Sequence, residues 1–281
     1  MKAWQFANKW LGPSAIKQLQ TFLAAVGLYK PRLVYAKNGW ETPVNNVSAQ
    51  GWNDKSIIEG KETAFKQIEE VLSSSYKVAF SYESRNLTAD QNLEYHNINM
   101  TFAYVLTLAA HLKTKVSVLD WGSGIGHYYL MSKRFLPGVE IDYHCVEVPE
   151  MAKLGKMINK NVSWYSANNY LKNTYDLVMI NASLQYVKEW KSFFKEISSC
   201  IGNYLFVTRI PTVENVEGYV AIQNENGVKM LHQQINSKEL VSTVEGCGFQ
   251  TMFEFLIGDK PFIKNAPEQC EMKGWLFKKT K

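Results

Sequence analysis

Residues 118–130, with the sequence VLDWGSGIGHYYL, constrain the fold of this chain more than any other segment. An apolar run ends at Asp120, glycines follow at every second position (Gly122, Gly124 and Gly126), and a helical pattern begins directly afterwards. This order is typical of a strand, a tight turn and a helix. We expect Gly122 to let the chain reverse, Gly124 to leave room for a ligand against the backbone, and Gly126 to let the helix approach the strand. Unblocked N–H groups of the turn would then face the ligand.

After Lys113 the sequence alternates between short apolar strands and helical segments. Strands are predicted over 115–120, 140–148, 162–166, 175–181 and 203–210, and helices over 127–135, 149–159 and 187–200. Such alternation predicts βαβ units and a parallel sheet that is covered on both faces. A helix over 237–248, with Ser237 as its N-cap, precedes two final strands. We expect these two strands to form an antiparallel hairpin at the sheet edge.

The part of the chain before residue 112 has a different pattern. Helices are predicted over 13–29, 56–72 and 92–112, and a loop over 35–56 contains Trp40 and Trp52. We therefore divide the chain into an N-terminal helical and aromatic-loop cap over 1–112 and an α/β domain over 113–281. Within the second part, segment 211–236 is longer than an ordinary connection and is a candidate lid insertion.

Composition and charge restrict the class of partner. The 281 residues are 46% hydrophobic and 20% charged with a net charge of +5, which indicates a folded protein and does not favour nucleic acid as a partner. Since no acidic residue precedes Glu41, the basic N-terminus could contact a membrane surface, or could be a solvated basic face. The sequence has no long apolar window and no evident leader, so we expect a cytoplasmic protein. Four cysteines without a CxxC pair predict no metal site.

The acid before the turn helps to choose between two ligands. A dinucleotide fold requires G-x-G-x-x-G so that a pyrophosphate can sit on the helix N-terminus, but His127 stands at the last glycine position. The Asp120 carboxylate would also repel a pyrophosphate. S-adenosylmethionine instead offers an ammonium group to an acid, and its ribose offers a diol that Glu147, at the end of the second predicted strand, could accept. The alternative interpretation of either acid is an exposed loop carboxylate.

These residues resemble the first motif of the class I S-adenosylmethionine-dependent methyltransferases, and the resemblance covers roughly residues 113–279. More narrowly, VLDWGSGIGHYY, SLQYV (183–187) and TRIP (208–211) resemble a methyltransferase family often encoded among bacterial surface-polysaccharide genes. The resemblance implies a Rossmann-like sheet of seven mostly parallel strands with an antiparallel last strand. The chain departs from the family at Ser166, where an acid often binds the adenine amine, and at Thr208, where the narrower family tends to have aspartate.

The predicted cofactor site combines the turn with the ends of three further strands. Its members are Asp120, Gly122, Ser123, Gly124, Gly126, Glu147, Ser166, Asn181 and Ser183. The resemblance implies a cofactor contact for Asp120, Gly122, Gly124 and Glu147. Asn181 could contact the aminoacyl end of the cofactor. Helix capping or ordinary packing is the alternative role for the polar residues of this strand end, namely Asn181, Ser183, Gln185 and Tyr186.

Methyl transfer requires mainly alignment and a water-poor site, because the methyl group of a sulfonium is already activated. An acceptor hydroxyl or amine must also lose a proton, so His127 and His232 are candidate bases. Gln185 and Tyr186 could position the acceptor, and Arg209 could bind a phosphate or carboxylate on it. Each of the two histidines could instead cap a helix or pack in the core.

The sequence therefore predicts an S-adenosylmethionine-dependent methyltransferase. The resemblance alone implies that it O-methylates a sugar or another small acceptor in surface-polysaccharide biosynthesis. A nicotinamide-dependent dehydrogenase is one alternative, and a non-catalytic cofactor-binding scaffold or membrane-surface adaptor is another. The oligomeric state is not predicted.

Overall fold

A computed structural model describes residues 31–44, 51–73, 93–225 and 227–280. The predicted helix over 13–29 and the basic residues before position 31 lie outside these ranges, so the N-terminal membrane contact stays a prediction. None of the helices within these ranges is long and apolar enough to span a bilayer.

The described residues form one mixed sheet of eleven strands with helices on both faces. The strands are β1 (Leu33–Tyr35), β2 (Lys115–Trp121), β3 (Glu140–Val146), β4 (Ser163–Tyr165), β5 (Tyr175–Asn181), β6 (Ile201–Val213), β7 (Tyr219–Glu225), β8 (Val228–Asn236), β9 (Phe249–Leu256), β10 (Ile263–Lys264) and β11 (Glu271–Lys279). The α-helices in these ranges are α1 (Lys55–Ile58), α2 (Lys61–Ser73), α3 (Leu93–Ala109), α4 (His127–Phe135), α5 (Pro149–Ile158), α6 (Trp190–Ile197) and α7 (Ser237–Glu245).

The central part of the sheet has the strand order β4-β3-β2-β5-β6-β11-β9. Strands β2 to β6 pair in parallel, and β11 pairs antiparallel with both β6 and β9. This arrangement confirms the predicted Rossmann-like fold with an antiparallel last strand. The predicted antiparallel pairing of the two final strands at the sheet edge is confirmed, because β9 is an edge strand and β11 lies between β9 and β6. The consecutive buried residues Trp275, Leu276 and Phe277 explain the inner position of β11, since an inner strand is covered on both faces.

Four further strands extend the sheet beyond the predicted seven. β7 and β8 form an antiparallel hairpin, β1 pairs with β7 and β10, and the end of β8 runs parallel to Thr212 and Val213 of β6. The candidate lid over 211–236 is therefore largely a β-hairpin. Its inward positions on β8 include the buried His232 and Gln234. These polar residues interrupt the apolar alternation by which a half-buried strand is normally recognised.

Both faces of the parallel strands are buried by helices. Val116 and Val118 of β2 point to the face covered by α2, α3, α4 and α5, whereas Leu119 points to the face covered by α6 and α7. This two-sided burial accounts for the nearly continuous apolar runs of these strands.

Several predicted helix boundaries differ from the observed ones. The helix predicted over 56–72 is divided into α1 and α2, because Gly60 has a φ of +79° in the left-handed region and interrupts the helix. The helix predicted over 187–200 is represented by the shorter α6 and a 3-10 turn at Ser198–Cys200. The N-cap of α7 is Asn236 rather than Ser237, since the Asn236 side chain accepts the N–H groups of the first turn at 3.1 and 3.2 Å.

Gly155 determines how closely α5 can approach the sheet. A Cβ atom there would lie 2.4 Å from the ring of Trp164, whose indole N–H donates to the Asn159 carbonyl at 3.2 Å. Alanine favours a helix over glycine by about 1 kcal/mol, whereas overpacking a core costs about 1 to 3 kcal/mol. We expect Gly155→Ala to lower the free energy of unfolding by about 1 to 2 kcal/mol in urea denaturation. The double variant Gly155→Ala/Trp164→Phe should recover part of this loss, and an unaltered stability of the single variant would contradict the assigned contact.

Candidate functional site

A cleft of about 890 Å³ lies at the carboxyl ends of the parallel strands. The chain order reverses between β2 and β5, and open α/β sheets bind ligands outside the strand ends at such a point. The cleft is lined by most of the predicted site residues, namely Asp120, Gly122, Ser123, Gly124, His127, Glu147, Ser166, Asn181, Ser183, Gln185, Tyr186, Arg209 and His232. Gly126 is not among the lining residues, and it is the N-cap of α4.

The glycines of the turn are required by backbone conformation and by close contacts. Gly122, Gly124 and Gly126 have φ angles of +75°, +59° and +69°, in the left-handed region that favours glycine. A Cβ atom at position 122 would lie 2.3 Å from the Cβ atom of Ser183, and one at position 126 would lie 3.0 Å from the ring of Trp164. Gly122 and Gly126 therefore pack against the segment after β5 and against β4 without space for a side chain.

The N–H groups of the turn bond within the protein. The N–H of Gly122 donates to the Val146 carbonyl at 2.9 Å, and the N–H of Gly126 donates to the Ser123 carbonyl at 3.1 Å. The N–H of Gly124 donates to Oε1 of Glu147 at 2.7 Å. The expectation that unblocked N–H groups face the ligand is therefore wrong at these positions. The reason lies in the tertiary structure, because the pairing of β3 with β2 brings Glu147 within hydrogen-bond distance of the Gly124 N–H.

Asp120 is a buried acid at the base of the turn, with only 1% of its surface exposed. The Tyr143 hydroxyl donates to its Oδ2 atom at 2.9 Å. Burial raises the pKa of Asp120 to about 8, the Tyr143 hydrogen bond lowers it, and the nearby Glu147 raises it further. A cation that reached this carboxyl group would favour its ionised form.

Glu147 connects the turn to the start of α5. Its second carboxylate oxygen accepts the Val148 N–H at 2.9 Å. Burial raises the pKa of Glu147 to about 7, although both backbone N–H donors act in the opposite direction. Each carboxylate oxygen can accept a further hydrogen bond, so the group can still receive a donor from a ligand.

The end of β5 presents two side-chain amides to the cleft. Asn181 donates through Nδ2 to the Tyr128 hydroxyl at 2.8 Å, and its Oδ1 atom is buried without a hydrogen-bond partner among the described residues. Oε1 of Gln185 is also buried without a hydrogen-bond partner among the described residues, and only 2% of the surface of Gln185 is exposed. Ser183 instead donates to the Trp121 carbonyl at 2.8 Å, which agrees with a packing role. Buried acceptors without donors are uncommon in proteins, so the two amides indicate a ligand with hydrogen-bond donors.

Tyr186 links the strand end to the β7–β8 hairpin. Its hydroxyl donates to Oε1 of Gln223 at 2.7 Å. Its ring makes edge contacts with Trp52 at 5.3 Å and with His232 at 5.5 Å between ring centroids. One aromatic wall of the cleft therefore combines a residue of the predicted cap with residues of the hairpin.

Both candidate histidine bases are buried. Burial lowers the pKa of His127 to about 3, with a further decrease from the charge of Arg209. Burial lowers the pKa of His232 to about 3 as well, and its Nδ1 atom lies 2.7 Å from the Gln234 amide nitrogen. A base with such a pKa offers little driving force for taking a proton near neutral pH. The burial of both imidazoles agrees with the alternative interpretation, in which they pack in the core, and their role as bases stays a prediction.

An irregularity in β6 affects the direction of the Arg209 side chain. The pairing register with β11 shifts between Lys273 and Trp275, opposite Thr208 and Arg209, and Arg209 has a φ of +55°. A bulge of this kind turns a side chain away from its regular position, and a non-glycine residue in the left-handed region carries strain. The Arg209 guanidinium lies 5.9 Å from the centroid of the Tyr95 ring.

Neither a family model nor a curated protein sequence matches this chain. Among solved structures, the chain is similar to the 1,6-didemethyltoxoflavin-N1-methyltransferase of Burkholderia thailandensis with bound 1,6-didemethyltoxoflavin and S-adenosylhomocysteine, at 15% identity over 65% of this chain and 78% of that chain, with a TM-score of 0.44. It is also similar to the N-terminal domain of EvdMO1 with SAH bound, at 13% identity over 79% of this chain and 97% of that chain, with a TM-score of 0.47. A third similar structure is the magnesium protoporphyrin IX methyltransferase of Synechocystis PCC 6803 with bound SAM, at 10% identity over 77% of this chain and 97% of that chain, with a TM-score of 0.46.

Proposed function

We propose that this chain is an S-adenosylmethionine-dependent methyltransferase with a small-molecule acceptor. One observation carries the proposal: the Gly124 N–H donates a hydrogen bond to Glu147, next to the buried Asp120. A pyrophosphate would need that N–H group and would face two carboxyl groups. A ligand with a positive charge and hydrogen-bond donors complements the same groups, and the amino-acid and ribose parts of S-adenosylmethionine have both.

The residues of the cleft fit this cofactor at three places. Asp120 and the Oδ1 atom of Asn181, which has no partner among the described residues, would hold the ammonium group. Glu147 would accept the ribose hydroxyls while it keeps its two backbone donors. Ser166 and Phe193, which also line the cleft, would contact the adenine. The bound cofactor supplies an activated methyl group, and the protein aligns the acceptor and excludes water.

The acceptor would occupy the part of the cleft next to the β7–β8 hairpin. Gln185 and the aromatic rings of Trp52 and Tyr186 lie there, so this part offers a buried amide and flat apolar surfaces. Such surfaces suit a small molecule with hydroxyl groups, since rings contact its C–H faces and amides bond its hydroxyls. The family resemblance of the sequence implies O-methylation of a sugar in surface-polysaccharide biosynthesis, and the sequence favours a cytoplasmic location. We include both as the finer part of the proposal.

Calorimetric titration tests the choice of cofactor. We expect S-adenosylmethionine and S-adenosylhomocysteine to bind at micromolar or lower concentrations, because both carry the ammonium group and the diol. NAD and NADH, titrated under the same conditions, should release no binding heat, since their pyrophosphate meets acids. Binding of either nicotinamide nucleotide without binding of the methylated cofactor would refute the proposal.

Transfer of a labelled methyl group tests whether the bound cofactor is used. The protein is incubated with methyl-labelled S-adenosylmethionine and fractions of a cell extract, and we expect label to enter a small or glycosidic component. Cofactor binding without labelling of any fraction would favour a non-catalytic scaffold instead.

A further inference from the structure

Two polar groups in the part of the cleft next to the β7–β8 hairpin have no hydrogen-bond partner in the ranges that the structure describes. Oε1 of Gln185 and the indole N–H of Trp52 are both buried, and both residues line the cleft. Few buried polar atoms in proteins lack a partner, and a role in binding is one explanation for those that do. Since one group accepts and the other donates, the cleft offers both kinds of hydrogen bond to a ligand.

Both groups are next to Tyr186. Gln185 precedes Tyr186 in the 3-10 turn Leu184–Tyr186. The Trp52 ring makes an edge contact with the Tyr186 ring at 5.3 Å between ring centroids. Two segments that are distant in sequence therefore place an acceptor and a donor around one region of the cleft.

The turn that carries Trp52 is fixed by hydrogen bonds. The Asn53 side chain accepts the Glu150 N–H at 2.8 Å, at the start of α5. The Asp54 N–H donates to the Gly51 carbonyl at 3.1 Å. Groups that are held in place before a ligand arrives lose little freedom when it binds, so this turn is suited to specific recognition.

The side chains around the two groups suit an uncharged part of a ligand. The Tyr186 hydroxyl donates to Oε1 of Gln223 at 2.7 Å. Burial lowers the pKa of His232 to about 3, so its imidazole is neutral at pH 7. Arg32 also lines the cleft, and its guanidinium forms an ion pair with Glu225. A charged group of a ligand would lose its hydration next to these neutral side chains without gaining a counter-charge from them.

We propose that Gln185 and Trp52 select the acceptor by binding one of its hydroxyl groups, an inference that rests on the proposed methyltransferase function. The hydroxyl donates to the Gln185 amide oxygen and accepts the Trp52 N–H. It also matches the amide in its reversed orientation, because a hydroxyl both donates and accepts. A molecule without the hydroxyl leaves two buried groups without partners, and sites of this kind reject such molecules strongly. Gln185 and Trp52 are therefore specificity-determining residues.

The test uses the extract fraction that the wild-type protein labels from methyl-labelled S-adenosylmethionine. Gln185→Met keeps an unbranched side chain of similar length and removes the amide. We expect the amount of the fraction that gives half-maximal labelling to rise about tenfold, the effect of one hydrogen bond in a buried site. The maximal rate should change by less than about threefold, because the lost contact is one of binding. Gln250→Met, the same change at an exposed position of β9, is the control and should equal the wild type.

Stability separates a recognition group from a structural one. A buried amide without a partner destabilises the fold, so an apolar replacement of similar size is neutral or stabilising. Gln185→Met should therefore keep or raise the urea midpoint of unfolding. Gln269→Met is the contrasting variant, because the Gln269 amide bonds the N–H and the carbonyl of Ile263 at 2.9 and 2.8 Å. Its urea midpoint should fall.

Trp52→Phe tests the donor. This change removes the N–H group and keeps an aromatic ring next to Tyr186. The half-maximal amount of the fraction should rise about threefold to tenfold, as for the loss of one hydrogen bond. Trp40→Phe is the matched control, because the Trp40 indole donates to Oε1 of Gln233 at 3.2 Å and Trp40 is not among the lining residues of the cleft. It should leave the half-maximal amount unchanged.

Each outcome decides the assignment. An unchanged half-maximal amount in either Gln185→Met or Trp52→Phe would refute the paired recognition and leave the proposed methyltransferase function intact. A lower urea midpoint or lost S-adenosylhomocysteine binding in Gln185→Met would show a structural or cofactor role and also refute it. A labelled product that mass spectrometry shows to have no hydroxyl group beyond the methylated atom would refute the class of acceptor. Failure of the wild-type protein to bind the cofactor or label any fraction would instead refute the proposed function, and the recognition role with it.

Discussion

Asp120→Asn is expected to weaken S-adenosylhomocysteine binding about 100-fold and, at the same time, to stabilise the protein. Loss of a buried charge partner for the ligand's ammonium group costs roughly 2 to 5 kcal/mol in binding, so a factor of about 100 is a cautious expectation. The folded protein without ligand becomes more stable, because asparagine places no ionisable group in a site with 1% exposure. Its amide oxygen can still accept a hydrogen bond from the Tyr143 hydroxyl. Replacing a buried group that function requires but that destabilises the fold commonly adds about 0.5 to 2 kcal/mol of stability.

The pH dependence of this stabilisation has a definite sign. The pKa of Asp120 is raised from 3.8 to about 8 on folding, so the folded state holds the proton more tightly than the unfolded state. The stability linked to this proton is complete below the unfolded pKa and is lost as the pH rises through the folded pKa. The advantage of Asp120→Asn should therefore be larger at pH 8 than at pH 5.

Urea denaturation at the two pH values and calorimetric titration with S-adenosylhomocysteine measure both effects. Asp142→Asn, a change at a more exposed acid of β3 that pairs with Lys115, serves as the control and should alter neither quantity by more than about 1 kcal/mol. Unchanged affinity in Asp120→Asn would place the ammonium group elsewhere in the cleft. Equal stabilisation at pH 5 and pH 8 would contradict the raised pKa.

Gly122→Ala should have the largest effect on the fold, with a loss of about 2 to 4 kcal/mol in the free energy of unfolding. Two costs add at this position. The φ of +75° strains any side chain, and the new Cβ atom would lie 2.3 Å from the Cβ atom of Ser183. Because Ser183 is itself held by a hydrogen bond to the Trp121 carbonyl at 2.8 Å, the strand end cannot move without breaking that bond. S-adenosylhomocysteine binding should be lost together with the turn geometry.

Two variants separate the two costs in denaturation experiments. Gly138 has a φ of +95°, and a Cβ atom added there would have no neighbouring atom within 4 Å, so Gly138→Ala should lose only the conformational part, about 1 kcal/mol. Gly122→Ala/Ser183→Gly removes the contact and keeps the unfavourable φ, so it should recover part of the loss. Equal losses in Gly122→Ala and Gly138→Ala would show that the contact with Ser183 contributes nothing.

Local patterns predicted much of the fold. The strand over 175–181 and the helix over 127–135 were predicted with the observed boundaries, because each has a clear apolar pattern and a clear turn signal beside it. The parallel sheet followed from the alternation of strands and helices. The hairpin over 219–236 was not predicted, since His232 and Gln234 occupy inward positions that the alternation rule expects to be apolar.

The candidate site was predictable where its members follow strand ends. Asp120, Glu147 and Asn181 line one cleft because parallel strands end at the same edge of the sheet. Glu94 and Asp259 carried no such signal. Glu94 precedes an apolar helical stretch and Asp259 lies in a loop, so each charge has the pattern of ordinary surface until the fold places both residues in the lining of the cleft.

The sequence by itself determined the strand, glycine turn and helix at 118–130, because the turn has a left-handed backbone at three nearby positions and glycine adopts that conformation without strain. It also determined which acids stand at the strand ends. Only the tertiary structure decided that Glu147 takes the Gly124 N–H and that β11 enters between β6 and β9. Hydrogen bonds and burial between distant segments depend on how the strands assemble, and residue spacing along the chain does not specify that assembly.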